Sequence, residues 1–280
     1  MDKERVIISI LADNRTADGF VREHGLALWI EADGMRLLFD TGQGGALIPN
    51  AEKMGIHLSL TNAVILSHGH YDHTGGVAHV LSLARYPHLF CHPEALRERY
   101  SIRDGTVRSI GMQEDARAAA ESLPTGRFCP SAEPFQLSKT VGITGHIPRN
   151  NGIEDTGGPF YLDPAPVRSD LLEDDMALWI RTPEGIVVCV GCAHAGIVNT
   201  LHHVISLTGP DERIRAVIGG LHLMNASDER IAYTVSALQS FAPELIVPCH
   251  CSGERAIAAL TDAFPHAVRI GYAGLRIVLK

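Results

Sequence analysis

The stretch "SHGHYDHTGG", residues 67–76, places three histidines and an aspartate within six positions, directly after the apolar run "NAVIL". His68 and His70 lie two residues apart at the end of a predicted strand, so on extended backbone their side chains point the same way. Two imidazoles aimed together make half of a divalent metal site. Asp72 and His73 follow at the turn into a predicted helix and offer a carboxylate and a third imidazole to a second ion or a catalytic water. The alternative is a solvated loop of histidines, but the strand before the cluster and the helix after it favour a metal site.

The composition excludes some classes of function. The 280 residues include 32 acidic and 24 basic side chains and carry a formal charge of −8, which argues against a nucleic-acid-binding surface. No apolar run approaches the roughly 18–20 residues that span a bilayer, so we expect no membrane partner and a cytoplasmic location. The 15 histidines are more than chance would give, and they prompt a search for further metal ligands.

Two similar stretches organise the chain. "LALWIEADGMRLLFDTG" (26–42) and "MALWIRTPEGIVVCVG" (176–191) each predict a β-hairpin, and helices and strands alternate after each of them. This quasi-repeat predicts an α/β fold in which two sheets face each other with helices outside.

Shorter elements and one long loop complete the prediction. We expect helices around 94–100 and 112–122 and a last strand at 267–270. The chain is expected to be a single domain, 1–280, with an insertion around 124–175. Within it, 149–175 is interpreted as a lid beside the site, since loops of this length are usually functional or disordered.

Other polar residues follow other predicted strands, where loops meet and functional sites gather. Cys192 and His194, then His222, then His250 each come after a predicted strand and before a predicted helix. A lone histidine is usually structural, but three at equivalent strand–helix junctions predict a shared site.

Three further residues are candidates for roles near that site. Asp40, in "LLFDTG", ends a strand with a carboxylate that can orient a metal-bound imidazole, or it can cap the next helix. His24, in "REHGLAL", and His146, in "TGHIP", are weaker ligand candidates.

The HxHxDH pattern of residues 68–73 resembles the signature of the metallo-β-lactamase superfamily, and "LLFDTG" resembles its first motif. The resemblance covers nearly the whole chain and implies a four-layer αββα sandwich, with two mixed sheets flanked by helices. Several stretches are closer to one branch, labelled 7,8-dihydropterin-6-ylmethyl-4-(β-D-ribofuranosyl)aminobenzene 5′-phosphate synthase, with relatives labelled metal-dependent hydrolases. These stretches are "EHGLALWI", "FDTGQGG", "DDMALWI", "GCAHAGIVNT", "GGLHL" and "HCSG".

The resemblance implies a set of metal ligands. His68 and His70 would bind one metal ion, Asp72 and His73 would bind a second, and His250 would be the last ligand. The usual mid-chain ligand histidine has His146 as its nearest candidate.

The chain departs from the family pattern at one place. Most members carry a glycine–aspartate whose carboxylate bridges both metals, whereas this chain has Gly191–Cys192. We expect His194 to be the replacement ligand and Cys192, like Asp40, to support the ligands without binding the metal. His222 stands where processing nucleases of the superfamily keep a catalytic histidine.

These observations predict an enzyme with one or two divalent metal ions, zinc before manganese or iron. The first hypothesis is a metal-dependent hydrolase of a small anionic substrate, phosphorylated or pterin-like, in which Asp72 and His222 manage protons. The alternative is a dihydropterin-methyl transferase that makes 7,8-dihydropterin-6-ylmethyl-4-(β-D-ribofuranosyl)aminobenzene 5′-phosphate. A non-catalytic metal-binding regulator is a third hypothesis, which six candidate ligands disfavour. The expected partner is a small-molecule substrate, and a homodimer is left open.

Overall fold

Two large β-sheets pack face to face in the computed structural model, which describes residues 5–280. From edge to edge, the seven strands of the first sheet are β16 (Arg276–Leu279), β1 (Val6–Ala12), β2 (Ala27–Ala32), β3 (Met35–Phe39), β4 (Ala63–Ile65), β5 (His88–Cys91) and β8 (Phe128–Pro130). The strands from β16 to β3 pair antiparallel, and those from β3 to β8 pair parallel. The first sheet is therefore mixed.

The second sheet repeats this arrangement. Its six strands are β15 (Leu245–Cys249), β14 (Ile214–Gly220), β13 (Gly185–Val190), β12 (Ala177–Thr182), β10 (Val141–Ile143) and β9 (Phe135–Gln136). The hairpin β12–β13 leads into parallel β14, as the hairpin β2–β3 leads into parallel β4. The quasi-repeat predicted from the two "ALWI" stretches is thus confirmed in the topology.

Helices cover the outer faces of both sheets. They are α1 (Leu47–Lys53), α2 (Tyr71–Thr74), α3 (Val77–Leu83), α4 (Glu114–Glu121), α5 (Ile197–Thr208), α6 (Asp228–Phe241) and α7 (Glu254–Ala263), with 3₁₀ turns at Leu58–Leu60 and Pro93–Leu96. One apolar core, with Ile8, Phe39 and Ile218, lies between the sheets. A second packs α1, α3 and α4 around Trp29, and a third packs α5, α6 and α7 around Trp179. Three cores separate four layers, so the predicted αββα sandwich is confirmed.

A small third sheet was not predicted. It contains β11 (Phe160–Tyr161), β6 (Tyr100–Arg103) and β7 (Thr106–Ser109), all antiparallel. The helix predicted around 94–100 is wrong, because only one 3₁₀ turn forms there before β6 begins. Asp104 and Gly105 both adopt positive φ, 49° and 74°, as a tight hairpin turn requires.

The end of the chain and its middle also differ from the prediction. At 267–270 only an isolated bridge joins Val268 to Ile246, and Ile270 is 43% exposed, so it contributes little apolar burial. The last strand is instead β16, which pairs with β1 in the other sheet. Residues 124–175 were predicted to be an insertion. They instead supply strands to both large sheets, β8 to the first and β9 and β10 to the second. Among the described helices, none combines the length and the apolar character needed to cross a membrane.

Candidate metal centre

The polar residues singled out in the sequence converge at the carboxyl ends of the parallel strands. These ends meet at one edge of the two facing sheets, which brings together residues far apart in the chain. The residues that follow β3, β4, β13, β14 and β15 there are, in order, Asp40, His68, His194, His222 and His250. Four groups of donor atoms result in the described residues, each with its members within 4.8 Å of one another. The first contains His68, Cys192 and His194, and the second contains His73, Cys192 and His250.

The first group is built on His68. Its Nε2 lies 3.0 Å from Nδ1 of His70, and its ring centroid lies 4.8 Å from that of His194. All three residues are buried, and burial lowers the pKa of each imidazole well below its usual value. Nε2 of His70 and Nε2 of His194 have no hydrogen-bond partner within the described chain. Neutral buried imidazoles with unpartnered nitrogens suit a metal ion.

A further group contains Asp72 with His24 and His250. Oδ2 of Asp72 lies 3.1 Å from Nε2 of His24, 3.4 Å from Nε2 of His250 and 4.0 Å from Nε2 of His73. Burial would raise the pKa of Asp72, but the charge of His73 and the hydrogen bonds from His24 and His250 hold it well below its usual value. The carboxylate therefore stays ionised among three imidazoles. His24, the weaker sequence candidate, belongs to this group.

Asp40 fixes the orientation of two of these imidazoles. It is fully buried, and its Oδ2 accepts a hydrogen bond from Nδ1 of His73 at 2.7 Å. Its carboxylate also accepts from the amide and the hydroxyl of Ser67, each at 2.7 Å, and that hydroxyl lies 2.8 Å from Nδ1 of His68. The side chain thus reaches His73 and Ser67 and not the start of the next helix. Its φ of 59° is left-handed, a conformation that Asp and Asn tolerate.

Two more imidazoles are held through the same ring nitrogen. Nδ1 of His194 lies 2.8 Å from the carbonyl oxygen of Thr156, and Nδ1 of His250 lies 2.8 Å from Oδ1 of Asn14. With an oxygen acceptor at Nδ1, the Nε2 lone pair of a neutral histidine faces away from it and is free for a metal. His68, His73, His194 and His250 all share this arrangement.

The pKa of His73 shows that the surroundings of its ring are negatively charged. Burial would lower it, but the carboxylates of Asp40 and Asp72 raise it to about 9. A positive charge is therefore favoured at this ring, whether a proton or a metal ion supplies it.

Cys192 is a member of both the first and the second group. Its Sγ is 3.2 Å from Nε2 of His73 and 3.3 Å from Sγ of Cys251. Burial and the neighbouring Cys251 raise the pKa of the Cys192 thiol well above its usual value. Burial would also raise the pKa of Cys251, but the hydrogen bond with Cys192 and the charges of His250 and His222 lower it.

Gly191 allows the end of β13 to lie close to Ser67 and Asp40. A Cβ at that position would lie 1.9 Å from Oγ of Ser67 and 2.8 Å from Oδ2 of Asp40. The absence of a side chain lets the end of β13 pack against the Ser67–Asp40 pair and brings Cys192 to the histidines.

A buried ion pair supports the loop between His68 and His70. The amide of Gly69 donates to Oδ2 of Asp174 at 2.7 Å, and Oδ1 of Asp174 lies 2.9 Å from Nη2 of Arg99. Arg99 is 1% exposed, although arginine is rarely buried without partners. These contacts tie the segment before β12 to the histidine cluster.

A narrow cavity of about 210 Å³ opens onto the centre. Besides His24, His70, Asp72, Cys192, His222, His250 and Cys251, its lining includes Ser101 and Arg103 of β6 and Phe160 of β11. Sequence reasoning missed Ser101 and Arg103, although "RDGT" in the same stretch is a hairpin signal that could have revealed them. A larger cavity of about 720 Å³, near Met35 and Phe135, contains none of the predicted site residues.

The segment interpreted as a lid lies against the centre. The ring of Phe160 lies 5.2 Å from that of His70 and 5.5 Å from that of His194. A Cβ at Gly157, whose φ is 84°, would come within 1.8 Å of the His222 ring. His222 has its buried Nδ1 without a partner in the described chain, and its ring lies 4.2 Å from that of His194.

His146 is the one sequence candidate that lies apart. It is exposed, and its Nδ1 donates to the carbonyl oxygen of Glu173 at 2.9 Å. It belongs to none of the donor groups found in the described residues.

Residues 21–250 match the family model of the metallo-β-lactamase superfamily. The chain belongs to this superfamily. The predicted signature at residues 68–73 lies inside the matched region.

Individual relatives cover almost the whole chain. The 7,8-dihydropterin-6-methyl-4-(β-D-ribofuranosyl)-aminobenzene-5′-phosphate synthase of Methanocaldococcus jannaschii is 29% identical over 255 residues, which are 88% of this chain and 86% of that protein. An uncharacterized protein of the same organism, MJ0448, is also 29% identical, over 91% of this chain and 94% of its own. Among solved structures, the metal-dependent hydrolase Tm1679 of the β-lactamase superfamily has a TM-score of 0.82 and 34% identity, covering 97% and 98% of the two chains.

Members of the superfamily generally bind divalent metals, and the donor set at residues 68–73 and 192–250 fits such ions. A relative named as a synthase and one named as a hydrolase match this superfamily member about equally well, so sequence identity alone does not separate the two reactions.

Proposed function

We propose that this protein is a metal-dependent hydrolase of a small, anionic substrate. One observation carries the proposal. Four buried histidines have their Nδ1 atoms tied to oxygens, so that Nε2 is the ring nitrogen each can offer to a metal, and those of His73 and His250 lie 4.0 and 3.4 Å from the ionised Asp72. A structural histidine needs no such common orientation.

The proposed ligands form two adjacent metal positions. Those of the first position are His68, His70 and His194, and those of the second are Asp72, His73 and His250. Mixed imidazole and carboxylate ligands suit zinc first, with manganese and iron as alternatives. When bound, the metal polarises the scissile group and lowers the pKa of water.

The protein's own residues would position the substrate and move protons. Asp72 stays ionised and faces the cavity, where its second oxygen can accept a proton or hold a water. His222 lines the same cavity with Nδ1 unpartnered, so it can donate to a leaving group or accept from a nucleophile. The lid residue Phe160 excludes water from the buried side of the cluster.

The cavity wall supports an anionic substrate. Arg103 and Ser101 of β6 line the same cavity as His70, Asp72 and His250. A guanidinium and a hydroxyl suit a phosphate, whereas the net charge of −8 would repel an anion without local positive charge. The small cavity volume favours a compact substrate.

A transferase is the second candidate, because the synthase of Methanocaldococcus jannaschii named above is similar along 88% of this chain. In that reaction the same residues would hold an anionic leaving group, and Phe160 would lie beside a flat ring. The hydrolase is supported by the solved structure named a metal-dependent hydrolase, which is similar along 97% of this chain with a TM-score of 0.82.

A substrate panel tests the proposal. The protein is stripped of metal with a chelator, reloaded with zinc, and assayed on phosphodiesters, lactones and the pterin pyrophosphate with its aminobenzene acceptor. We expect zinc-dependent hydrolysis of at least one phosphoester or lactone. Turnover only of the pterin pair would instead establish the transferase, and zinc-independent turnover would contradict both.

A further inference from the structure

His24 reaches the metal centre from the loop before β2, outside the segments that supply the other proposed ligands. Its Nε2 lies 3.1 Å from Oδ2 of Asp72, and its ring centroid lies 4.9 Å from that of His250. These three side chains form one of the donor groups of the described residues, and all three line the cavity at the centre. The proposed function uses Asp72 and His250 as metal ligands and leaves His24 without a role.

The backbone that follows His24 is fixed against the centre. The amide of Gly25 donates to Oδ1 of Asn14 at 3.2 Å, and the same oxygen lies 2.8 Å from Nδ1 of His250. A Cβ at Gly25, whose φ is 142°, would come within 2.3 Å of the carbonyl oxygen of Asp72. The glycine therefore lets this loop lie directly on the Asp72 segment, which places the imidazole of His24 beside the carboxylate.

The residue before His24 anchors the loop from the other side. The carboxylate of Glu23 accepts hydrogen bonds from the amides of Gln43 at 2.7 Å and Ala46 at 2.9 Å. Nε2 of Gln43 in turn donates to the carbonyl oxygen of His24 at 2.6 Å. Although the side chain of His24 is 53% exposed, its backbone is thus held in one place beside the centre.

We propose that His24 is a ligand of the second metal position. It would join the three ligands already assigned there, which are Asp72, His73 and His250. This inference rests on the proposed metal centre and gives that position a fourth protein ligand. Zinc binds imidazole nitrogen and carboxylate oxygen at about 2.0–2.2 Å, which puts tetrahedral ligand atoms roughly 3.3–3.6 Å apart. The distances of 3.1 and 3.4 Å from Oδ2 of Asp72 to Nε2 of His24 and of His250 are close to that spacing.

The alternative is that His24 only donates a hydrogen bond to Asp72. The ligand role is favoured because three Nε2 atoms lie within 4.0 Å of the same oxygen, Oδ2 of Asp72, which is more than its two lone pairs can accept from. Glutamine can donate a hydrogen bond to Asp72 through its amide, but it is not among the side chains that usually bind zinc. His24→Gln therefore separates a hydrogen-bond donor from a metal ligand.

Zinc affinity at the second position tests the assignment, measured by titrating the loaded protein with a competing chelator. His24→Ala and His24→Gln should each keep the first ion. Both should bind the second ion roughly 100-fold or more weakly, beyond the roughly 10–100-fold that loss of a residue that only orients a ligand causes. The control, His146→Ala, changes an exposed histidine outside the donor groups and should bind both ions like the unaltered chain.

Nitrogen-15 NMR of the histidine rings gives a second measurement on the unaltered chain. On zinc loading, the signal of Nε2 of His24 should move to the range of a metal-bound nitrogen. This measurement needs no variant, so it decides the assignment even if a variant does not fold.

The outcomes separate this inference from the proposed function. A second ion bound equally well by His24→Gln and the unaltered chain would show that His24 only donates a hydrogen bond. Unchanged affinity in His24→Ala, or an Nε2 signal of His24 that zinc does not move, would also overturn the assignment and leave the metal centre in place. Failure of the unaltered chain to bind a second zinc ion would instead overturn the two metal positions of the proposed function.

Discussion

Replacing Asp40 with asparagine removes one charge from the centre while keeping the shape of the side chain. Asparagine tolerates the φ of 59°, so the backbone has no reason to move. The carboxylate accepts hydrogen bonds from His73 and, twice, from Ser67. An amide presents only one oxygen, so at least one of these buried donors loses its acceptor.

The magnitude follows from two contributions. An unpaired buried donor costs about 1–3 kcal/mol. The rise in the pKa of His73 from 6.5 to about 9 corresponds to about 3 kcal/mol, shared between Asp40 and Asp72. We therefore expect Asp40→Asn to lower the free energy of unfolding of the metal-free protein by about 2–4 kcal/mol. Metal affinity should fall roughly 10–100-fold, as when other residues that orient metal-bound histidines are changed.

The pH dependence identifies the cause. The folded pKa of His73 is above its unfolded value, so the stabilisation by Asp40 is complete below pH 6.5 and is lost as pH rises through about 9. The cost of Asp40→Asn in the metal-free protein should therefore be larger at pH 6 than above pH 9.

Denaturant unfolding at both pH values and competition with a chelating dye measure these effects. The matched control is Asp33→Asn, at a partly exposed hairpin turn with φ 48°. Equal effects of the two variants, or a cost that does not change with pH, would refute the assignment of Asp40.

Three other substitutions give sharp expectations. Gly157→Ala should push the His222 ring aside and reduce kcat roughly 10–100-fold, while the metal content stays unchanged. A stopped-flow assay measures kcat, and elemental analysis measures the metal content. Arg99→Ala leaves Asp174 as an unpaired buried charge and should cost about 3–5 kcal/mol in urea unfolding; a cost below 1 kcal/mol would contradict the pairing. Arg103→Ala should raise KM for a phosphorylated substrate at unchanged kcat and leave a neutral lactone unaffected, and equal effects on both substrates would remove its role as an anion contact.

The core of the site could be predicted because its chemistry is local in sequence. The spacing of His68, His70, Asp72 and His73 is set by one strand end and one helix start, and the structure places all four together. His194, His222 and His250 were predicted from their positions after strands, since parallel strands end at one edge. The repeat of the "ALWI" hairpin indicated that two such edges would meet.

The rest depended on contacts between distant segments. One exception is the local hairpin β6–β7 at residues 100–109, whose turn signal "RDGT" was missed; all of β7 is exposed, so no alternation of apolar and polar residues supported that signal. The strand β16 pairs with β1 at the opposite end of the chain, and nothing in its own sequence indicates that partner. The position of Cys192 between two groups of histidines required the backbone approach that Gly191 permits. In the sequence alone, this close contact between two segments is visible only as a glycine with no evident role.

The most direct test of the account is the number of tightly bound metal ions per chain, measured by elemental analysis after zinc loading and removal of free metal. The unaltered chain should hold about two zinc ions, and His70→Ala, which removes a ligand of the first position only, should hold about one. The control, His146→Ala, changes an exposed histidine outside the donor groups and should hold the same amount as the unaltered chain. Equal zinc content in all three proteins, or none in the unaltered chain, would contradict a metal centre at this site.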